Sequence, residues 1–223
     1  MERAIAESRT DGLPRLRAVE PHASAAWAHA LEAHRWQLGD TTARGPVFED
    51  AQRLVEEGAD RPAAEMIEVA TRRAIVAVDL RDLERWSQLH AQLPDTPRGR
   101  VWGAACEAWA SAHEGNRPSG LDTLEKDASR IGAAELVVEI AALRSLVALH
   151  HGDPDEATTL ARRASRMARV ESMPLPEYLA NIVLARVRRA IGAPHLAARI
   201  SPAPPRVAPP PPPARLAFSP RLP

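Results

Sequence analysis

Residues 133–168 read AAELVVEIAALRSLVALHHGDPDEATTLARRASRMA, and this stretch decides the fold. Its first half is apolar almost all round a 3.6-residue period: Leu136, Val137, Val138, Ile140, Leu143, Leu146, Val147 and Leu149 leave no wide polar face. Such a helix is covered by neighbours on both sides. Gly152 offers the left-handed residue that ends it. Asp153, Pro154, Asp155 and Glu156 then supply an N-cap, a first-turn proline and carboxylates facing the positive end of a second helix. In that helix Leu160, Ala161, Ala164, Met167 and Ala168 share one side. The stretch reads as helix, tight turn, helix.

Outward from it, looser versions of the same unit recur. Upstream, Trp27, Leu31, His34 and Leu38 share a face that Gly39 ends. Pro46 opens a helix striped by Ala51, Leu54 and Val55, which Gly58 closes. Asp60 and Pro62 start a segment carrying Met66, Val69, Ala70 and Ile75, and a break at Asp79 leads to LRDLERWSQLHAQL, striped by Leu83, Trp86, Leu89 and Leu93. Thr96 caps the next helix, where Trp102, Ala105, Cys106 and Trp109 fall at i, i+3, i+4 and i+7; after Gly115, Ser119 offers a capping oxygen with Asp122 three residues on. Downstream, Pro174 and Pro176 introduce PEYLANIVLARVRRAI, and Gly192-Ala193-Pro194 repeats the glycine–proline break. The breaks at Gly39, Asp79, Gly115, Gly152 and Gly192 stand roughly 36 to 40 residues apart, the spacing of helix-hairpin repeats.

The best unit resembles a tetratricopeptide repeat. HHGDPDEATTLARRA matches the family's inter-helix turn and second helix, with Gly152 in the turn, Ala157 and Ala164 at the two small packing positions, and Ser145 where the first helix takes a small residue. Ala141 and Ala148 replace the family's large aromatics, and the unit is a few residues longer than the usual ~34. The resemblance implies an all-α fold, an α-α superhelix of stacked hairpins. It also implies a likeness to the divergent arrays in the sensory halves of bacterial signalling ATPases and transcription activators. On this reading residues 1–21 are a segment of undecided structure, 22–200 the helical-repeat domain and 201–223 a tail. Nearly half of the 21 prolines lie after Arg199, so the tail is expected to be extended polyproline II or disordered.

Composition narrows the function classes. Lys+Arg and Asp+Glu are both 29, so the net charge is zero, which removes the usual argument for non-specific binding to nucleic acid or an anionic membrane. Aromatics at 4% argue against a half-buried sheet. One cysteine, Cys106, cannot make an internal disulfide or a cysteine-based zinc site, and its place beside Trp102 and Trp109 reads as a buried, inert thiol. The N-terminus, MERAIAESRTDG, lacks the apolar core of a signal peptide, and no run approaches ~18 apolar residues, so the expectation is a cytoplasmic protein.

The chemistry-bearing residues are few. The eight histidines lack the convergent ligands of a metal site. Glu135 and Glu139, four apart, read as the solvated strip of an otherwise buried helix rather than an acid–base pair. No phosphate loop, nucleophile elbow or His-Glu-x-x-His is present, so neither catalytic activity nor a cofactor or metal is expected. The uneven charge is basic: Arg162, Arg166 and Arg169 at i, i+4, i+7, with Arg163 adjacent, then Arg186, Arg188 and Arg189. These seven are the candidate surface for an acidic partner. Within the tail, Pro210 to Arg215 fits the proline-x-x-proline-x-basic pattern of ligands for aromatic-grooved adaptor domains, and low complexity makes such a match cheap.

The functional expectation is a non-catalytic scaffold that binds a protein or peptide. The alternative is a ligand-sensing or regulatory fragment of a larger bacterial signalling or transcription regulator. A further expectation concerns the last helix: with its partner cut short by proline, Leu179, Ile182, Val183 and Val187 should lose their cover. That would follow from truncation or a frame shift near residue 200, or be relieved by self-association through the incomplete repeat.

Overall fold

In the computed structural model, residues 21–37 and 42–199 are described. The N-terminal segment, Leu38, the Gly39 break and the proline-rich tail, with the expectations placed on them, lie outside these residues. The described chain is all-α and holds ten helices: α1 (Pro21–Gln37), α2 (Phe48–Glu56), α3 (Asp60–Ala77), α4 (Leu80–His90), α5 (Pro97–His113), α6 (Leu121–Arg130), α7 (Ala134–His150), α8 (Pro154–Val170), α9 (Pro174–Ala190) and α10 (Pro194–Ala198).

The junctions explain why the chain keeps turning back on itself. At the end of α7, Gly152 takes φ 78°; its N–H donates to the Leu149 carbonyl and the Asp153 N–H to the Ala148 carbonyl. This pair of bonds satisfies two carbonyls that a helix end leaves open, and the left-handed residue that allows it is easiest for glycine. The same two bonds recur at Gly58, Val78, Gly115, Gly132, Ser172 and Gly192. Val78 and Ser172 reach the left-handed region without being glycine, at φ 58° and 56°. After two of these turns a side chain caps the next helix, Asp79 accepting from the Asp82 N–H and Asp153 from the Glu156 N–H, and before α5 Thr96 accepts from the Gly99 N–H. Ser119 does not cap; α6 starts from Gly120, whose left-handed backbone brings no side-chain oxygen to the first turn.

Packing follows sequence order. From α3 to α9 each helix packs on the next, and each odd-numbered helix also packs on the next odd-numbered one. The odd helices, 17 or 18 residues long, are therefore the covered layer, and the even ones lie against them with one face in solvent. In α7 Leu136, Ile140, Leu143 and Leu146 are buried. In α8 Ala157, Ala161, Ala164 and Ala168 are fully covered, a small-residue ridge that lets α7 and α9 approach closely, while the Ser145 hydroxyl of α7 donates to the Ala157 carbonyl at 2.7 Å. Cys106, Trp102 and Trp109 lie in the same core.

The expectation for α9 is corrected. Leu179, Val183 and Val187 are buried, in one core cluster with residues of α7 and α8; Ile182 is half-buried. At its C-terminal end α9 also meets α3, where an Arg186 N–H donates to the Val76 carbonyl at 3.4 Å.

Candidate functional site

The N-terminal parts of α3, α5, α7 and α9 line a common cavity of about 660 Å3. Its walls come from α3 (Asp60 to Arg72), the start of α5 (Arg98 and Gly99), Glu135 of α7 and the α8–α9 turn from Glu171 to Pro176; Trp27 and His34 of α1 and His90 of α4 complete it.

A ladder of ion pairs runs through this wall. Arg98 grips Glu68 with two bonds, Nε to Oε1 at 3.1 Å and Nη2 to Oε2 at 3.0 Å, and gives Nη1 to Glu135 at 2.5 Å. Arg72 gives Nη2 to Glu68 at 3.2 Å and Nε to Glu139 at 2.7 Å, and its guanidinium stands 4.8 Å from the centre of the Trp102 ring. Glu135, Arg98, Glu68, Arg72 and Glu139 thus alternate in sign across α7, α5 and α3. Glu68 and Glu139 are each 3% exposed. Burial pushes the Glu139 carboxyl above the usual carboxylate range, against the pull of Arg72. Burial also opposes charge on Arg72, but Glu139 and Glu68 outweigh it and hold the guanidinium above its ordinary value.

The sequence expectation for the two glutamates is therefore overturned. Glu139 is not part of a solvated strip: it lies three and four residues from Leu136 and Leu143, inside the apolar face, and is neutralised by an arginine two odd helices away. Glu135 is half-buried and faces the cavity. Glu68, Arg72 and Arg98 were not singled out from the sequence. A usable signal was present, since Glu68 and Arg72 share the i, i+4, i+7 stripe of α3 with the core residue Ile75.

Two histidines border the cavity. His34 Nε2 is 3.1 Å from Glu65 Oε2. Burial works to raise the Glu65 carboxyl, but the His34 hydrogen bond and charge, with Arg72 and Arg98 beyond, bring it below its ordinary value. Burial keeps His90 below the usual imidazole value. Elsewhere, His150 and His151 are tied to the carbonyls of Ala112 and Val147, and among the described residues no group of His, Cys, Asp and Glu is arranged to hold a metal ion. Cys106 is buried, and burial, followed by the charge of Glu139, pushes its thiol up.

The seven candidate arginines fall into two groups. Arg162, Arg163, Arg166 and Arg169 share the exposed side of α8; Arg163 reaches Glu125 of α6 at 2.9 Å and Arg169 reaches Glu177 of α9 at 3.1 Å. Arg162 and Arg166 have no partner among the described residues. Arg186 bridges to α3, Arg188 donates to the Leu196 carbonyl at 3.0 Å, and Arg189 is exposed at the end of α9. No described helix is long and apolar enough to cross a membrane.

Comparison with known proteins finds no matching family model, no matching curated relative and no matching solved structure.

Proposed function

We propose that the chain is a helical-repeat binding module of the tetratricopeptide-like kind, a non-catalytic scaffold that takes a segment of a protein or peptide partner in the cavity between the odd helices. The observation that carries this reading is the cavity's construction: the N-terminal parts of four successive odd helices, α3, α5, α7 and α9, meet around one space. Stacked-hairpin arrays curve into superhelices that offer such walls to partners. The ladder ties α3, α5 and α7 together across this wall, and a wall held in place before a partner arrives would lower the ordering cost of binding. Arg162 and Arg166 on α8 would serve as a separate, outward contact for an acidic partner.

The test is selection from a random peptide library on the full chain, followed by hydrogen-exchange mapping of a recovered binder. Protection over residues 60–68, 96–99 and 171–176 is expected. Failure to recover any peptide, or protection confined to the even helices, would refute the reading.

A second reading, a ligand-sensing module of a larger regulator, is favoured by the cavity's volume, which falls in the ~300–1,000 Å3 range of small-molecule sites. A thermal-shift screen that yields a small molecule protecting the same segments, with no peptide recovered, would select it.

A further inference from the structure

The charges of the cavity wall do not balance: Asp60, Glu65, Glu68, Glu135 and Glu171 line it against Arg61, Arg72 and Arg98. Within the ladder, the three carboxylates Glu68, Glu135 and Glu139 share two guanidiniums, Arg72 and Arg98, so it has a carboxylate at each end. The buried end is Glu139. The other end, Glu135, lines the cavity and commits only one oxygen, Oε1, to Arg98. Asp60 and Glu171 line the same space with no partner among the described residues, and Glu65 commits one oxygen to His34. Carboxylates in a partly enclosed wall interact more strongly than in water, so the surplus favours a positive charge arriving from outside.

Donors are scarce by contrast. Arg98 places Nε, Nη1 and Nη2 on ladder carboxylates, Arg72 is buried among its two, and Arg61 lies over the Trp27 ring at 5.9 Å. Helix N-termini normally offer free N–H groups, but here they are depleted. Pro97 has none at the start of α5, and the Gly99 N–H is taken by the Thr96 hydroxyl; Pro174 and Pro176 have none at the start of α9. The wall is rich in acceptors and poor in donors. Beside it lie Leu93, Pro94, Met173 and Leu175, an apolar strip suited to an aliphatic stem.

We infer that the cavity takes the basic side chain, arginine or lysine, of the partner peptide. Its cation sits against Glu135 and is shared by Asp60 and Glu171, extending the ladder by one positive rung while Arg98 and Glu68 form the fixed wall behind. The inference rests on the reading of this cavity as a peptide site.

The test is fluorescence anisotropy on the full chain with two fluorescein-labelled hexapeptides, one alternating glycine and arginine, the other glycine and glutamate. The arginine peptide is expected to bind at least about tenfold more tightly, a preference that shrinks as salt rises from about 50 to about 300 mM. Asp60→Asn with Glu171→Gln, which breaks no ion pair among the described residues, is expected to weaken the arginine peptide about three- to tenfold with an unchanged melting curve; Glu135→Gln should weaken it further. Equal binding of both peptides, an unchanged affinity in the double variant, or spermine binding as tightly as the arginine peptide would overturn the inference. A library peptide lacking arginine and lysine that nonetheless protects the cavity would leave the binding-module reading standing and refute this one alone.

Discussion

Replacing Arg72 by methionine tests the ladder directly. The substitution keeps the aliphatic stem beside Trp102 but removes two ion pairs, to Glu139 at 2.7 Å and Glu68 at 3.2 Å. Glu68 retains both of its bonds to Arg98, so the stranded carboxylate is Glu139, which burial already raises above its ordinary value. Breaking a buried pair typically costs about 3–5 kcal/mol. A ceiling follows from proton uptake. Once charged Glu139 becomes costlier than protonated Glu139, the folded variant binds a proton, at about 1.4 kcal/mol for each pH unit above the ordinary glutamate value of 4.5. The loss is therefore capped at about 4 kcal/mol at pH 7.5 and at about 1 kcal/mol at pH 5. The sign is fixed: between the unfolded and the raised folded value the native variant holds more protons than the unfolded chain, so its stability falls as pH rises. Urea unfolding followed by far-UV circular dichroism, with wild type measured beside it at both pH values, reads the difference. Adding Glu139→Leu removes the stranded charge and should restore stability at pH 7.5 to within about 1.5 kcal/mol of wild type. A loss below about 0.5 kcal/mol at pH 7.5, or one equal at the two pH values, would refute the argument.

Two further outcomes follow from burial. Leu146→Ala should destabilise by about 2–5 kcal/mol, since Leu146 is 2% exposed in the middle of α7; a change within about 0.5 kcal/mol in the same urea assay would show that α7 is not interior. Cys106 should resist an aromatic disulfide reagent in the folded protein and react on unfolding, because burial holds its thiol in the protonated form; rapid labelling of the native chain would contradict its placement.

The hairpin at 133–168 was legible because two independent signals coincide there: an apolar period and a glycine–aspartate–proline turn. Elsewhere one signal is missing. The break before α4 was visible only through the polar Asp79, since the residue in the left-handed region is Val78; likewise Ser172 turns the chain between α8 and α9 without a glycine. Capping read well where an aspartate or threonine directly precedes the helix, and failed at Ser119, one residue too early for its oxygen to meet the first turn of α6. The cover of α9 was misjudged for a related reason. Leu179, Val183 and Val187 find their cover in the core cluster they share with α7 and α8, which spacing within α9 alone does not reveal.

The candidate site was far less legible, and the reason is sequence distance. Arg72 and Glu139 are 67 residues apart, Arg98 and Glu135 37, and nothing local to either partner announces the other. Local spacing instead suggested that Glu135 and Glu139 were neighbours in solvent. What separates a solvated carboxylate from a buried one is the company at i±3 and i±4, and for Glu139 that company includes Leu136, Ala142 and Leu143, all fully buried. A charged residue in such company must find a counter-charge on another helix or bind a proton. The arginines of α8 present the converse case. Their i, i+4, i+7 spacing established a shared face, and Arg162 and Arg166 do lie exposed there, but spacing was silent on Glu125 and Glu177, which occupy Arg163 and Arg169. On α8 the neighbouring helices α6 and α9 supply opposite charges only to Arg163 and Arg169, so among the described residues Arg162 and Arg166 are the two left to meet a partner.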